Sequence, residues 1–404
     1  MEEWKEYKIG DLGRIVTGKT PKTSIKENYG GNIPFLTPSD DLTNKYIPNT
    51  IKKITKLGLS EVKNCLLPPN SICVSCIGSD LGKVVMLKEQ SVTNQQFNSI
   101  IPNEDFCPDF IYYLMTIIGK ELNFIGKTST AVPIVNKSSF SNTEVVLPSL
   151  LTQQKIANIL SSLDDKIEVN RRINEQLEEL AGALFKSWFV DFEPFKDGEF
   201  VDSELGMIPK GCTTISLSKM ADYLNGLAMQ KFRPLQGEKG LPVLKIKELG
   251  QDSCNDTSEL CSPSLVDEKY IVNDGDVIFS WSGTLLVKLW CGGICGLNQH
   301  LFKVTSKKYP KWFIYLWTKH HLDRFIRIAK DKAVTMGHIK RGELDTSYAI
   351  VLDDERMKEL DGLMSPIIEQ IINNNVECRN LTTLRDTLLP KLMSGEIDVN
   401  EVEI

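Results

Sequence analysis

IANILSSLDDKIEVNRRINEQLEELAGALFKSW, residues 156–188, carries apolar or amide side chains at steps that alternate between four and three residues. That spacing is the seam of a heptad repeat, along which one helix packs against another. The stretch therefore predicts one long helix that has a partner helix. The seam positions are Ile156, Leu160, Leu163, Ile167, Asn170, Asn174, Leu177, Ala181, Leu184 and Trp188.

A second seam lies 204 residues further along the chain and keeps the same phase. Its positions are Leu360, Met364, Ile367, Ile371, Asn374, Cys378, Leu381, Arg385, Leu388 and Leu392. Asn170 and Asn374 occupy the same position in the two seams, and Asn174 and Cys378 occupy the next one. A buried Asn in a heptad core costs stability and fixes register, so we assign the register to these four residues. The economical arrangement is an antiparallel two-helix coiled coil with a pseudo-two-fold axis. The alternative is that each helix packs only on the module that precedes it.

The segments before the two helices also match each other, with offsets between 202 and 208 residues. This period is too long for a solenoid and indicates a duplicated half-molecule. Short apolar runs predict strands at Ser71–Ile77, Val84–Leu87, Val145–Leu147, Asp276–Trp281 and Tyr348–Leu352, and a Pro near the first turn predicts helices at Pro108–Gly119 and Pro310–Ile328. The matching pairs are Ile33–Leu36 with Leu241–Leu244, Ile72–Gly78 with Val277–Gly283, Asn94–Phe97 with Asn298–Leu301, and Phe110–Leu114 with Trp312–Leu316.

We therefore predict an α+β fold in which two pseudo-symmetric modules are joined by an antiparallel two-helix coiled coil. The predicted boundaries are 1–150 for the first module, 151–190 for a central spacer helix, 191–210 for a linker, 211–352 for the second module, 353–394 for a distal spacer helix and 395–404 for a frayed acidic tail.

Composition and charge restrict the class of protein. The chain has a net charge of −6, yet residues 205–352 carry 20 Lys and Arg against 14 Asp and Glu, whereas residues 353–404 carry 5 against 12. The long segments can therefore present a favourable field to phosphate, and the short ones cannot. The charged N-terminus and the scattered cysteines predict a cytoplasmic protein with reduced thiols.

Short motifs occur along the chain at Trp4, Ile9–Gly13 with Thr17–Pro21, Ile33–Asp40, Leu147-Pro148 with Gln153–Ala157 and Leu163–Ile167, Leu184-Phe185 with Trp188–Phe192, and Gly206–Gly211. Together they resemble the motifs of one known family, the specificity subunits of type I restriction–modification systems. The resemblance covers essentially the whole chain, although the second module reads Gly226-Leu227-Ala228-Met229 where the first has Gly18-Lys19-Thr20-Pro21.

The resemblance implies two target-recognition domains, each of which reads one half of an asymmetric, bipartite site on double-stranded DNA. It implies that the paired helices act as a ruler and dock two methyltransferase subunits, which nuclease–translocase subunits can join. S-adenosylmethionine would then belong to the methyltransferase partner, and this chain would need no cofactor of its own.

Motifs for catalysis are hard to find in the sequence. The only Pro-Pro pair, Pro68-Pro69, lacks the order of an adenine methyltransferase motif, and no Gly-x4-Gly-Lys-Ser/Thr nucleotide loop occurs. A zinc site made of Cys73, Cys76, Cys291 and Cys295 is disfavoured, because the first pair would straddle both faces of a strand. We therefore predict a subunit without catalytic or metal-binding residues.

Polar residues in loops of the two modules are the candidates for DNA contact, because phosphate contacts position a protein and base-edge contacts specify sequence. For any single Lys, a solvated surface position is an equally good explanation. The candidates are Lys19, Thr20, Lys22, Lys127, Thr128, Ser129 and Thr130 in the first module, and Lys231, Arg233, Lys245, Lys247, His338, Lys340 and Arg341 in the second.

Two other functions remain open at this point. One is a scaffold whose coiled coil joins two protein-binding modules, and the other is an enzyme with an unrecognised site. If the helices are a ruler, four residues inserted into Leu177–Leu184 would lengthen the spacer between half-sites by about 6 Å, or roughly two base pairs.

Overall fold

The computed structural model describes residues 4–47, 49–128, 134–331 and 340–399, and it divides into two compact units. The first unit combines residues 1–165 with 382–404, and the second is residues 166–381. The long helices Leu150–Phe189 and Asp354–Met393 agree closely with the predicted spacer helices. Each long helix, however, contributes one segment to each unit, so the units do not follow the predicted domain boundaries.

In the first module, the described residues form three small sheets and three helices ahead of the long helix. Strands β2-β9-β6-β7 form one four-stranded sheet in that order, β4-β3-β8-β5 form a second, and β1 pairs with β10. The strands are Lys5–Lys8 (β1), Gly13–Thr17 (β2), Tyr29–Leu36 (β3), Lys52–Ile54 (β4), Leu66–Leu67 (β5), Ile72–Ser75 (β6), Val84–Met86 (β7), Ser91–Thr93 (β8), Phe97–Pro102 (β9) and Glu144–Leu147 (β10). The helices are Lys56–Glu61 (α1), Pro108–Thr128 (α2) and Lys137–Ser141 (α3), followed by the long helix α4.

The second module repeats this plan. Its sheets have the orders β14-β21-β18-β19 and β16-β15-β20-β17, and β13 pairs with β22. The strands are Phe200–Val201 (β11) and Ile208–Pro209 (β12) in the linker, then Thr213–Ser216 (β13), Asp222–Asn225 (β14), Leu241–Leu244 (β15), Leu260–Cys261 (β16), Ile271–Val272 (β17), Val277–Ser280 (β18), Leu286–Leu289 (β19), Cys295–Leu297 (β20), Leu301–Thr305 (β21) and Tyr348–Val351 (β22). The helices are Leu217–Met220 (α5), Ile246–Gln251 (α6), Lys311–His320 (α7), Leu322–Asp331 (α8) and Gly342–Asp345 (α9), followed by the long helix α10.

Equivalent strands make equivalent pairings in the two modules. In each module one sheet contains a single parallel pair, β3 with β8 and β15 with β20, while its other pairs are antiparallel. The central strands β6 and β18 are buried over their whole length, which explains their continuous apolar sequence. The predicted α+β fold of two pseudo-symmetric modules is therefore confirmed.

The predicted seams are the buried faces of the long helices. All of the seam positions are buried or half-buried. In the second unit, Asn374 Nδ2 donates to Asn174 Oδ1 at 2.8 Å, and Asn174 Nδ2 donates to Asn375 Oδ1 at 2.9 Å. Towards the start of α4, Cys378 contacts the carbonyl of Ile167, so the two helices run antiparallel in this unit. Asn170 lies one layer away and donates to Glu377 at 2.6 Å.

A polar network joins the first module to both long helices within the first unit. Arg385 NH1 contacts Asp164 Oδ1 at 2.6 Å, and the Tyr113 hydroxyl donates to the other oxygen of Asp164 at 2.5 Å. Burial and the neighbouring Asp164 carboxylate raise the pKa of Tyr113. Lys45, whose side chain is 4% exposed, pairs with Asp109 at 2.6 Å. These charges are paired, as burial requires.

Aromatic side chains make the equivalent junction in the second unit. The Phe185 ring lies 5.0 Å from that of Trp317, and Phe189 lies 5.4 Å from the same ring. Trp312 Nε1 donates to Asp361 on α10 at 2.7 Å, which satisfies the one polar atom of a fully buried indole. At the repeat positions of Asp164 and Arg385 the second unit has Ile368 and Ala181, which are buried in its apolar core, so the second junction has no equivalent of that ion pair.

The prediction of one continuous helix over Pro310–Ile328 is wrong. The structure has two helices there, α7 and α8, separated by His321. The His321 imidazole makes a hydrogen bond to the carbonyl of Tyr348 at 2.9 Å, a contact that ties the break to strand β22. A tertiary contact of this kind leaves no local signal in the sequence.

His321 should make the second unit sensitive to acid. Burial lowers the pKa of His321 to about 4, whereas an unfolded His titrates near 6.5. The unfolded chain binds more protons between these values, so the free energy of unfolding falls as the pH drops through this window. We expect a loss of about 2–3 kcal/mol from this group between pH 6.5 and 4. Urea unfolding of the His321→Phe variant should show a correspondingly flatter pH dependence than the wild type. Equal slopes would contradict the assignment.

The predicted acidic tail is ordered at its start. Val399 is 2% exposed within the core of the first unit, and Gly395 lies against the Trp4 ring. The prediction of a frayed tail is therefore wrong for residues 395–399, because apolar side chains among the acidic ones reach that core. Residues 400–404 lie outside the described part of the chain. No helix within the described residues is both long and apolar enough to cross a membrane.

Candidate DNA interface

Each module brings two loops together at equivalent positions. The first loop begins at a glycine, Gly18 or Gly226, directly after strand β2 or β14. The second is a three-residue turn, Asn94–Gln96 or Asn298–His300, which we call the asparagine turn; it directly precedes strand β9 or β21. Loops that a rigid sheet positions in this way are the usual place for recognition residues.

Four backbone hydrogen bonds fix the two loops against each other in the first module. Gly18 N donates to the Phe97 carbonyl at 3.1 Å, and Lys19 N donates to that of Thr93 at 2.9 Å. Asn94 N donates to the carbonyl of Leu36 at 3.0 Å, and Phe97 N closes the turn on that of Asn94 at 3.2 Å. The Asn94 side chain also accepts from the backbone of Gln96 at 3.1 Å.

The second module repeats every one of these bonds. Gly226 N donates to Leu301 at 3.0 Å, and Leu227 N donates to Leu297 at 3.0 Å. Asn298 N donates to Leu244 at 3.2 Å, and Leu301 N closes the turn on Asn298 at 3.0 Å. The Asn298 side chain accepts from the backbone of His300 at 3.4 Å. The same hydrogen bonds therefore hold the asparagine turn against the glycine loop in both modules.

The close approach explains why both first loops begin at glycine. A Cβ atom at Gly18 would lie 2.1 Å from the carbonyl oxygen of Asn94, and one at Gly226 would lie 2.3 Å from that of Asn298. Both distances are to backbone atoms, which cannot move without displacing the turn. Any side chain at either position would therefore push the two loops apart.

The predicted residues of the first module lie beside the asparagine turn. The Thr20 hydroxyl donates to Gln95 Oε1 at 2.7 Å, which ties the first loop to the asparagine turn. Lys19 and Lys22 are exposed. The backbone N–H of Lys22 donates to Glu61 at 2.8 Å, and this bond is the main cause of the lowered pKa of Glu61. The bond holds the loop in place while the Lys22 ammonium remains exposed.

The predicted residues of the second module are more dispersed. Lys231 and Arg233 are exposed and lie in the loop that follows Gly226. Lys245 comes directly after Leu244 but pairs with Glu259 at 2.7 Å, so a DNA contact would have to compete with this ion pair. Lys247 is exposed on α6, and Lys340 is exposed before α9.

Arg341 has a structural contact that the sequence did not predict. Its guanidinium donates to the carbonyl of Tyr223 at 3.0 Å and lies 5.8 Å from the centre of the Phe302 ring. It also lines a cavity of about 660 Å³ together with Lys219 and Lys308. A variant of Arg341 would consequently change the packing of the module as well as its charge.

The remaining predicted residues receive little or no description. Lys127 and Thr128 belong to the last turn of helix α2. Ser129, Thr130 and His338 lie outside the described residues.

Reasoning from sequence missed the exposed members of the asparagine turns as site residues. Gln95 and His300 are exposed, and Gln96 and Gln299 are half-buried. The signal was present, since Asn-Gln recurs at the matching position of both halves. By itself this recurrence indicates only a repeat, because nothing in the sequence shows that the glycine loop lies beside the asparagine turn.

The cysteines do not form a metal site within the described residues. Cys73 and Cys76 belong to different apolar clusters, as expected for neighbouring faces of a strand. Burial raises the pKa of Cys73 to about 12 and that of Cys291 to about 11. The described part of the chain contains no group of three or more His, Cys, Asp or Glu residues that could hold a metal ion.

Comparisons with known proteins agree on one family. Residues 1–179 match the family described as type I restriction modification DNA specificity domain. The chain is 33% identical to the MjaIX type I restriction enzyme specificity subunit of Methanocaldococcus jannaschii, over 99% of this chain and 95% of that protein. It is 24% identical to the HindI specificity subunit of Haemophilus influenzae, over 98% of this chain and all of that protein.

A solved structure has a similar fold. The crystal structure of a type I restriction–modification S subunit from M. genitalium aligns with a TM-score of 0.60 at 15% sequence identity. The alignment covers 97% of this chain and 96% of that one, so the likeness extends over both modules and both long helices.

Proposed function

Because this chain belongs to the DNA specificity subunits of type I restriction–modification systems, we propose that it reads an asymmetric, bipartite site on double-stranded DNA with one module on each half-site. The observation that carries the proposal is the asparagine turn, which has the same bonds in both modules while the side chains around it differ. The same backbone turn, surrounded by different side chains in the two modules, is suited to binding two half-sites of different sequence.

The paired long helices would set the spacing between the half-sites and dock two methyltransferase subunits. Leu180 and Leu384 support the docking role. They occupy the same position in the two copies of the repeat, and they are 48% and 47% exposed. Two copies of one partner require two equivalent surfaces, and these two leucines give each long helix one exposed apolar side chain at the matching position.

The chemistry would belong to the partners. The methyltransferase subunits would bind S-adenosylmethionine and modify adenine, and nuclease–translocase subunits would join the assembly to cut DNA. This chain would contribute sequence recognition and geometry, with no catalytic residue and no cofactor of its own.

Co-expression with the methyltransferase subunit of the same system tests the proposal. We expect the two proteins to purify together, and we expect sequencing that detects methyladenine to reveal one motif made of two different half-sites around a fixed spacer. The physical reason is that each module contacts its own half-site in a complex of fixed length.

The control is the methyltransferase subunit expressed alone, which should leave the same motif unmodified. Methylation that does not depend on this chain, or a motif without two parts, would contradict the proposal. Co-purification without any DNA retention would instead favour a scaffold that joins two protein-binding modules.

A further inference from the structure

The asparagine turns are the part of the candidate DNA interface whose sequence and hydrogen bonds both modules share. Asn and Gln occur at positions 94 and 95 and again at 298 and 299. The bonds that hold them are the same in type and in length to within 0.3 Å. The inference drawn from this feature rests on the proposed function.

The neighbours of the two turns have diverged. Lys19 and Thr20 stand beside the first turn where Leu227 and Ala228 follow Gly226 in the second. Gln96 is replaced by His300, whose ring lies 6.3 Å from that of Trp281. A surface that bound two copies of one protein would be duplicated with its neighbours. A surface that binds two different base sequences on one uniform backbone would share only its backbone-binding part.

The hydrogen bonding of Gln95 favours a phosphate over a base. A glutamine that reads adenine uses both its oxygen and its nitrogen, in a bidentate contact. Gln95 Oε1 already accepts the Thr20 hydroxyl at 2.7 Å, and among the described residues Gln95 Nε2 has no partner. One of the two lone pairs of Gln95 Oε1 is thus occupied while both amide protons are available, so the exposed end offers more donors than acceptors, which suits a phosphate oxygen. In the second turn, Gln299 Nε2 lies 3.3 Å from His300 Nε2, which leaves at least one amide proton for the same role.

We propose that Gln95 and Gln299 each donate their side-chain amide to a DNA phosphate, and that His300, at a diverged position, reads a base edge of the second half-site. The duplicated pair would place each module on the backbone in the same way. Sequence preference would then come from the residues that differ around it.

Binding measurements on alanine variants of neighbouring residues test this division. The full chain, in complex with its methyltransferase partner, is titrated with a duplex that carries the mapped site and with duplexes that each change one base pair. We expect Gln95→Ala and Gln299→Ala to weaken binding about three- to tenfold on every duplex, with the order of preference unchanged. We expect His300→Ala to flatten the preference at one or more positions of the second half-site only.

Salt dependence supplies a second readout. Gln95 is neutral and displaces no counterion, so Gln95→Ala should leave the slope of log K against log salt unchanged. Lys19→Ala should reduce that slope by about one if Lys19 contacts a phosphate. Backbone hydrogen bonds hold the turn without the Gln95 side chain, so its alanine variant should unfold close to the wild-type temperature although it loses the exposed bond to Thr20. This measurement separates a lost DNA contact from lost structure.

Three results would overturn the inference. Gln95→Ala or Gln299→Ala could change the order of base preference, which would make that residue a base reader. Either variant could bind every duplex as the wild type does. Either could instead lose the methyltransferase subunit, which would make the turn a protein contact. A failure of the proposed function would appear earlier and separately, as a wild-type complex that modifies no bipartite motif.

Discussion

Lengthening both long helices by one heptad is expected to move methylation to sites whose half-sites lie about three base pairs further apart. Seven residues add roughly 10 Å of helix at 1.5 Å per residue, and B-DNA rises 3.4 Å per base pair. A heptad in each helix keeps the seam in phase, whereas the four residues considered from the sequence alone would break the alternation of three and four.

The structure also selects where the insertion belongs. Leu177–Leu184 is a poor choice, because Ala181 packs in the core of the second unit and Glu178 lies 3.7 Å from Lys319. The boundary between the units falls after Asp165 in one helix and after Leu381 in the other. Seven residues at both points leave the contacts inside each unit intact.

A matched control inserts the heptad into one helix only. Asn174 and Asn374 lie in the same unit and keep their bond, but the two helix segments that connect the units then differ in length by seven residues. This variant should therefore fail to fold or to bind DNA. Methyladenine sequencing that finds the original spacer with the double insertion would refute the ruler. A longer spacer with the double insertion, together with an inactive single insertion, is the expected pair of results.

Replacing Arg385 with methionine should lower the free energy of unfolding of the first unit by about 3 kcal/mol. The substitution leaves the carboxylate of Asp164, whose side chain is 9% exposed, without its cation. Removing one partner of a buried ion pair costs roughly 3–5 kcal/mol, because the remaining charge stays away from water. The lower end applies here, since the Tyr113 hydroxyl still donates to Asp164. Urea unfolding followed by circular dichroism and by hydrogen exchange of the first unit measures the loss.

The second substitution Asp164→Asn distinguishes an unpaired charge from lost packing. Asparagine keeps an oxygen that can accept from Tyr113 and removes the charge, so the Arg385→Met, Asp164→Asn double variant should recover most of the stability. If the double variant is as unstable as Arg385→Met alone, the lost free energy of unfolding comes from the packing contacts of the arginine side chain.

The parts of the fold that depend on local pattern could be predicted from the sequence. The seams through Asn170 and Asn374 follow from spacing alone, and the buried strand Ile72–Ser75 follows from a continuous apolar run. The break at His321 could not be predicted, because it is tied to a bond with Tyr348. The burial of Val399 could not be predicted either, because an acidic segment looks solvated until its place in a core is known.

The site was harder to predict than the fold. The sequence predicts Lys19, Thr20 and Lys22 as DNA contacts, because cationic and hydroxyl groups in a loop suggest phosphate. The sequence does not single out Gln95 as a DNA contact, because a neutral amide side chain has no distinctive pattern. Its interest comes from the glycine loop that lies against the turn, a contact between residues about 75 positions apart in the chain. Such contacts follow from the sheets and cannot be deduced from residue spacing.

The two units also differ in the order in which their segments are synthesised. The second unit is one continuous segment, residues 166–381, whereas the first combines one segment before it with one segment after it. Leu389 and Leu392 belong to the core of the first unit, and they are synthesised after the whole of the second unit. At roughly 5–20 residues per second, the first module waits at least about ten seconds for them after its own synthesis is complete. The unit that is begun first can therefore be completed only after the other unit has been synthesised, and its apolar face stays uncovered until then.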